Sequence, residues 1–132
     1  MRTIKFRGLR TDGKGWVYGG YFQHTPDEDG VRSYIFDFNE GAVEVITESV
    51  GQFTGSVDRN GNEIYEGDIV LLDEGFHPRN RPIVFSEYGD WSIGELGISF
   101  GQMKADGFVH CEVIGNIYQN PELLERSAKA DA

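Results

Sequence analysis

Apolar and polar residues alternate in short runs along most of this chain, the period expected of half-buried β-strands. From Thr3 to Arg10, Ile4 and Phe6 alternate with Lys5 and Arg7, and after Asp12-Gly13 the stretch Gly15 to Phe22 carries Trp16, Val17, Tyr18 and Tyr21. The two predict a hairpin. A two-residue turn pairs Thr11 with Lys14, which sets Leu9 opposite Trp16 and Arg7 opposite Tyr18. Ile4, Phe6, Val17 and Tyr21 then share the other face.

Further strands are expected at Ser33 to Phe38 and Ala42 to Thr47, joined by a turn at Asn39-Glu40-Gly41. A central hairpin follows, with Val50, Phe53 and Val57 before Asp58-Arg59-Asn60-Gly61 and Ile64, Tyr65, Ile69 and Val70 after it. Asn-Gly supplies the positive φ that a tight turn requires. Glu66-Gly67-Asp68 reads as a bend that releases the chain into an apolar strand, a device of curled sheets. Ile83 to Tyr88 and Trp91 to Ile93 flank a turn at Gly89-Asp90, and Phe108 to Tyr118 is a last strand, apolar on both sides. Asn120-Pro121-Glu122 then predicts a helix start. Gln23 to Gly30 and Asp73 to Pro82, each with proline and without period, read as loops, and no strand or helix is predicted from Gly94 to Gly107. The fold class is therefore mainly β: an N-terminal hairpin portion over residues 1–48, a barrel-like antiparallel sheet over 49–125 closed by a short C-terminal helix, and a disordered tail over 126–132.

Charge changes this picture less than its distribution does. The net charge is −10, yet Arg2, Lys5, Arg7 and Arg10 are the only charged residues among the first ten. An acidic total disfavours charge-driven binding to nucleic acid, while a basic aromatic first hairpin, with Arg7 beside Trp16 and Tyr18, is able to stack on a planar ligand. Phe76, His77, Arg79 and Arg81 form a second basic group in the expected loop, the place to look for anion or partner contacts. A single cysteine, Cys111, allows no internal disulfide, and no run reaches the length of a membrane span. A cytoplasmic protein without membrane attachment is expected.

Catalytic chemistry is not expected. Glu63, Glu66, Asp68 and Glu112 are carboxylates at hairpin and bend positions where charge or a backbone contact suffices. His110 and Cys111 are adjacent, so in a strand they point to opposite faces and form no nucleophile–base pair. Asp27, Glu28 and Asp29 lack the alternating ligands of a calcium loop. No phosphate loop and no metal-spaced set occurs, so no catalytic residue, metal or cofactor is assigned.

VGQFTG, the run DRNGNEIYEGDIV and the terminal CEVIGNIYQNPELL, with KFRG and VYGGY before them, resemble the YopX family of small phage and prophage proteins. The resemblance spans about Lys5 to Leu124. It implies a mostly β protein with an N-terminal β portion and a C-terminal barrel-like portion. It carries over no site residue, since none is defined for the family.

Function then rests on aromatic content, 13% of the chain, without a catalytic constellation. The leading expectation is a non-enzymatic interaction module that binds a protein partner or itself, since aromatics and arginine favour interface centres. The alternative is a nucleic-acid-related role, either single-strand binding by the first hairpin or mimicry of nucleic acid by the acidic body. The residues singled out are Arg7, Trp16, Tyr18, Phe76, His77, Arg79 and Arg81.

Overall fold

The computed structural model describes residues 3–26, 30–72, 79–86, 89–94, 98–99 and 111–124. The chain is mainly β, in two antiparallel sheets, one of six strands and one of five among the described residues. It divides into two compact units, 1–53 and 54–132.

In the first unit β1 (Phe6–Leu9) and β2 (Trp16–His24) form the expected hairpin. Its register is the one read from the sequence: Arg7 faces Tyr18 and Leu9 faces Trp16. The turn is longer than expected. Arg10 N–H donates to the Gly15 carbonyl at 2.9 Å, and the Asp12 carboxylate accepts from Lys14 N–H at 3.0 Å. Thr11, released from Lys14, donates instead to the Glu44 carbonyl at 3.1 Å. A local Asx-type bond has replaced the two-residue turn.

β2 also runs further than expected and takes in Gln23 and His24. Its first half, Trp16 to Gly19, pairs with β1, and its second half, Gly20 to His24, pairs with β3 (Arg32–Asp37). The change of partner occurs at Gly19, where φ is +155° and a Cβ would lie 1.9 Å from the Phe36 carbonyl oxygen, so no other residue fits. β3 pairs in turn with β4 (Gly41–Val45), and β4 returns to the end of β1. Arg10 bridges Val45, and Ile46 N–H donates to the Leu9 carbonyl at 2.8 Å. The four strands thus close on themselves around Val17, Ile35 and Val45, with Phe6, Tyr21, Val43 and Val50 packed against them. Gly8 permits the closure, since a Cβ there would sit 2.8 Å from Val45. A 3-10 turn, Thr47–Ser49, leads into β5 (Gly51–Val57), whose first residues pair with β1.

In the second unit the end of β5 lies beside β6 (Glu63–Tyr65). β7 (Asp68–Leu72), β8 (Arg79–Phe85), β9 (Trp91–Ile93), β10 (Ile98–Ser99) and β11 (Cys111–Asn116) make the second sheet around Ile64, Val70, Ile83, Ile93 and Cys111. Among the described residues β10 and β11 are its two ends and are not paired, so it is an open sheet and not a closed barrel. Closure of strands is instead found in the first unit.

Arg79, Arg81 and Pro82, expected in a loop, belong to β8, opposite Leu72, Val70 and Ile69. Pairing of β8 with β9 begins only at Ile83, so the missing proline N–H falls where that ladder stops. Ile98 and Ser99 form a short strand within the region left unassigned above. The helical turn at Glu122 to Leu124 is present, but Asn120 does not cap it: its side-chain oxygen accepts from Asn116 N–H at 3.1 Å. The acidic run 27–29, His110 and the tail 126–132 lie outside the described residues.

Candidate functional site

Two groups of residues answer for most of the conspicuous sequence motifs, and both are scaffolding. The turn Asp58-Arg59-Asn60-Gly61 docks on the outer edge of β11. Asp58, buried at 4% exposure, accepts from Asn60 N–H at 2.9 Å, Asn62 N–H at 2.8 Å and Val113 N–H at 2.9 Å. Arg59 N–H donates to the Cys111 carbonyl at 3.1 Å, and the Arg59 guanidinium pairs with Glu112 at 2.8 Å. The turn therefore satisfies β11 where a further strand would otherwise be needed. Burial alone would raise the Asp58 pKa, but the amides of Val113, Asn62 and Asn60 outweigh it and hold the carboxyl below its usual range.

The second group surrounds Gly67. Asp68, buried, accepts from Tyr65 N–H at 2.7 Å, and Gly67, at φ +90°, donates to the Ile83 carbonyl and accepts from Ile117 N–H. The bend read from Glu66-Gly67-Asp68 is thereby realised. Asn116 accepts from Tyr118 N–H at 3.1 Å and Gln119 N–H at 2.9 Å, which folds GNIYQN into a compact turn. Cys111 is fully buried, and desolvation, assisted by the nearby Asp58 charge, pushes its thiol up to about 12. It is a core residue and not a nucleophile. Among the described residues no three His, Cys, Asp or Glu side chains come together as a metal-holding set.

What remains is the outward face of the first sheet. Val17, Tyr21, Ser33 and Ile35 point toward the core of the first unit, and the even-numbered residues of β2 and β3 point out. The outward set comprises Trp16, Tyr18, Phe22, Tyr34 and Phe36, and three of these rings are open to solvent: Tyr18 at 45%, Phe22 at 43% and Phe36 at 55%. Phe22 and Tyr34 stack with centroids 5.3 Å apart. Phe36 lies opposite Gly20, whose missing side chain leaves that ring uncovered.

Arg7, Trp16 and Tyr18 are indeed brought together on this face, but not as an open pocket. Arg7 is 6% exposed, and its guanidinium carbon lies 4.1 Å from the Trp16 ring centroid, a diagonal cross-strand stack. One face of each is therefore already occupied, and of the three only Tyr18 presents an open ring. Lys5 repeats the motif, its Nζ 5.1 Å from the Phe53 ring. Arg79 and Arg81 belong to the second unit. Arg81 runs along Gly94, where a Cβ would sit 3.3 Å from its Cδ, which makes it part of the sheet and not of a loop. Phe76, His77 and the Arg79 side chain lie outside the described residues.

Phe22, Tyr34 and Phe36 are the residues that sequence reasoning did not place on the candidate surface. The signal was their parity: aromatics at 16, 18 and 22 and again at 34 and 36 mark one face each of two strands. It is hidden in the sequence because nothing local carries β2 past Phe22 or pairs it with β3.

Comparison with curated proteins gives no significant match. A solved crystal structure, of protein EF1440 from Enterococcus faecalis, is similar in fold: TM-score 0.59, 24% identity, covering 94% of this chain and 99% of that one. The model of the family described as YopX protein matches residues 5–125. This match coincides with the span of the resemblance read from the sequence, about Lys5 to Leu124, and the chain belongs to the YopX family.

Proposed function

We propose that this YopX-family protein is a non-catalytic binding module of a mobile genetic element, and that the aromatic face of β2 and β3 is its working surface. The observation that carries the reading is the exposure of Tyr18, Phe22 and Phe36 side by side on one sheet face. Single exposed apolar residues need no explanation, whereas rings gathered on one face favour a partner that covers them. The mobile-element origin is supported by the family resemblance alone. A non-catalytic role is supported by the carboxylates: Asp58 and Asp68 are each committed to backbone amides.

The test is affinity capture from host lysate with the wild-type chain and with the Phe22→Ser/Phe36→Ser double variant. The wild type should retain a macromolecule that the double variant loses. Capture that is the same for both would remove this face as the working surface.

A further inference from the structure

We infer that the occupant of this face is a single-stranded nucleic acid whose separated bases stack on the exposed rings. The inference rests on the reading of β2 and β3 as the working surface and names its partner.

The register sets the rings out in steps. Along β2, Tyr18 faces Arg7, Gly20 faces Phe36, Phe22 faces Tyr34 and His24 faces Arg32. Each step is two strand residues, about 6.6 Å. Open rings therefore occur at three consecutive levels: Tyr18, then Phe36 across from Gly20, then Phe22 with its stacked partner Tyr34. A duplex strand advances only about 3.4 Å per base, so a duplex cannot offer its bases to rings at twice that interval. An unpaired strand with its bases drawn apart is able to do so.

Charge on this face is opposite in sense to that of the chain. Arg7 sits at the Tyr18 level, 6% exposed and stacked on Trp16, and Arg32, exposed, sits beyond Phe22 opposite His24. Two arginines thus lie at the ends of the ring levels, one of them exposed, and Glu44, opposite Tyr34, is the one carboxylate at the outward-facing paired positions, Asp37 having the other parity. An aromatic run that ends on an exposed arginine is complementary to an anionic polymer with flat side groups. The net charge of −10 acts at longer range and opposes approach, which lowers affinity without removing the local complementarity.

Fluorescence anisotropy of a labelled twelve-residue oligo(dT), with an oligo(rU) arm to distinguish DNA from RNA, tests the inference. The wild type should bind one or both probes, and a duplex of the same length at least tenfold more weakly. With one or two phosphates neutralised, the logarithm of affinity should fall against the logarithm of salt with a slope of about −1. Phe22→Ser/Phe36→Ser should weaken binding about tenfold or more. Tyr18→Ser, which changes one ring, serves in its place should the double variant not fold, and Arg32→Gln should flatten the salt slope.

No binding to either probe, equal binding to duplex, or binding unchanged in the ring variants overturns the inference. If the oligonucleotides fail while the double variant still loses a protein captured by the wild type, the partner is a protein and the face remains the working surface. If both fail, the face is not the working surface.

Discussion

Asp58 answers four donors with two oxygens: Asn60 N–H and Asn62 N–H on one, Val113 N–H and the Asn62 side-chain amide on the other. Its pKa in the fold lies below the ordinary value of 3.8, the net result of burial that raises it and backbone amides that lower it further. A carboxyl of this kind contributes stability that is full above the unfolded pKa and is lost as the pH falls through the folded one. Asp58→Asn should therefore cost about 1–3 kcal/mol at neutral pH, read from denaturant melts, and the difference from wild type should shrink below about pH 4. A constant difference across that range would show that the charge is not what the turn uses. Cys111 carries a second prediction at this scale. With its thiol buried and pushed up to about 12, it should not react with a thiol reagent at pH 8 in the native protein and should react at once in denaturant. Rapid native labelling would contradict its place in the core.

Among the elements, β2 carries the most consequence because it serves two neighbours in succession. Gly19 is the point of exchange, and Gly19→Ala would drive a methyl group into the Phe36 carbonyl. The variant should lose on the order of 2 kcal/mol or more, measured by thermal unfolding, and should not bind through the face because β3 is displaced. The first hairpin was legible in sequence because alternation and an Asp-Gly turn fix register locally, and Leu9–Trp16 and Arg7–Tyr18 face each other as read. Two features were not. Thr11 bonds to Glu44, 33 residues away, and β4 returns to β1, so the closure is a long-range event without a local signature. The strand character of Arg79 to Pro82 was masked by a proline that the unpaired position beside β9 tolerates.

For the whole molecule, the residues that make the chain recognisable and the residues proposed to bind are largely different sets. DRNG, EGD and GNIYQN are committed to buried amides and tight turns, and they identify the fold without describing its activity. The aromatic face lies on β2 and β3, where of the family motifs VYGGY reaches it at Tyr18 and Gly20 and KFRG contributes Arg7, while Phe22, Tyr34 and Phe36 fall outside them. Whole-chain charge points away from nucleic acid, because a sum over 132 residues cannot show that Arg7 and Arg32 lie at the two ends of one set of rings. That placement follows from strand pairing, which the sequence carries only through parity. Variants should separate the two sets. Asp58→Asn should lose stability and keep binding, while Phe22→Ser/Phe36→Ser should keep its melting temperature within a few degrees and lose binding, since both rings are already exposed.

The most direct test of the binding face is an NMR titration of the isotope-labelled protein with unlabelled twelve-residue oligo(dT), followed by assigned backbone and aromatic shifts. Perturbations should centre on Tyr18, Gly20, Phe22, Tyr34 and Phe36 and extend to Arg32 and His24. Shifts confined to residues 54–124, or none at saturating probe, would contradict the account.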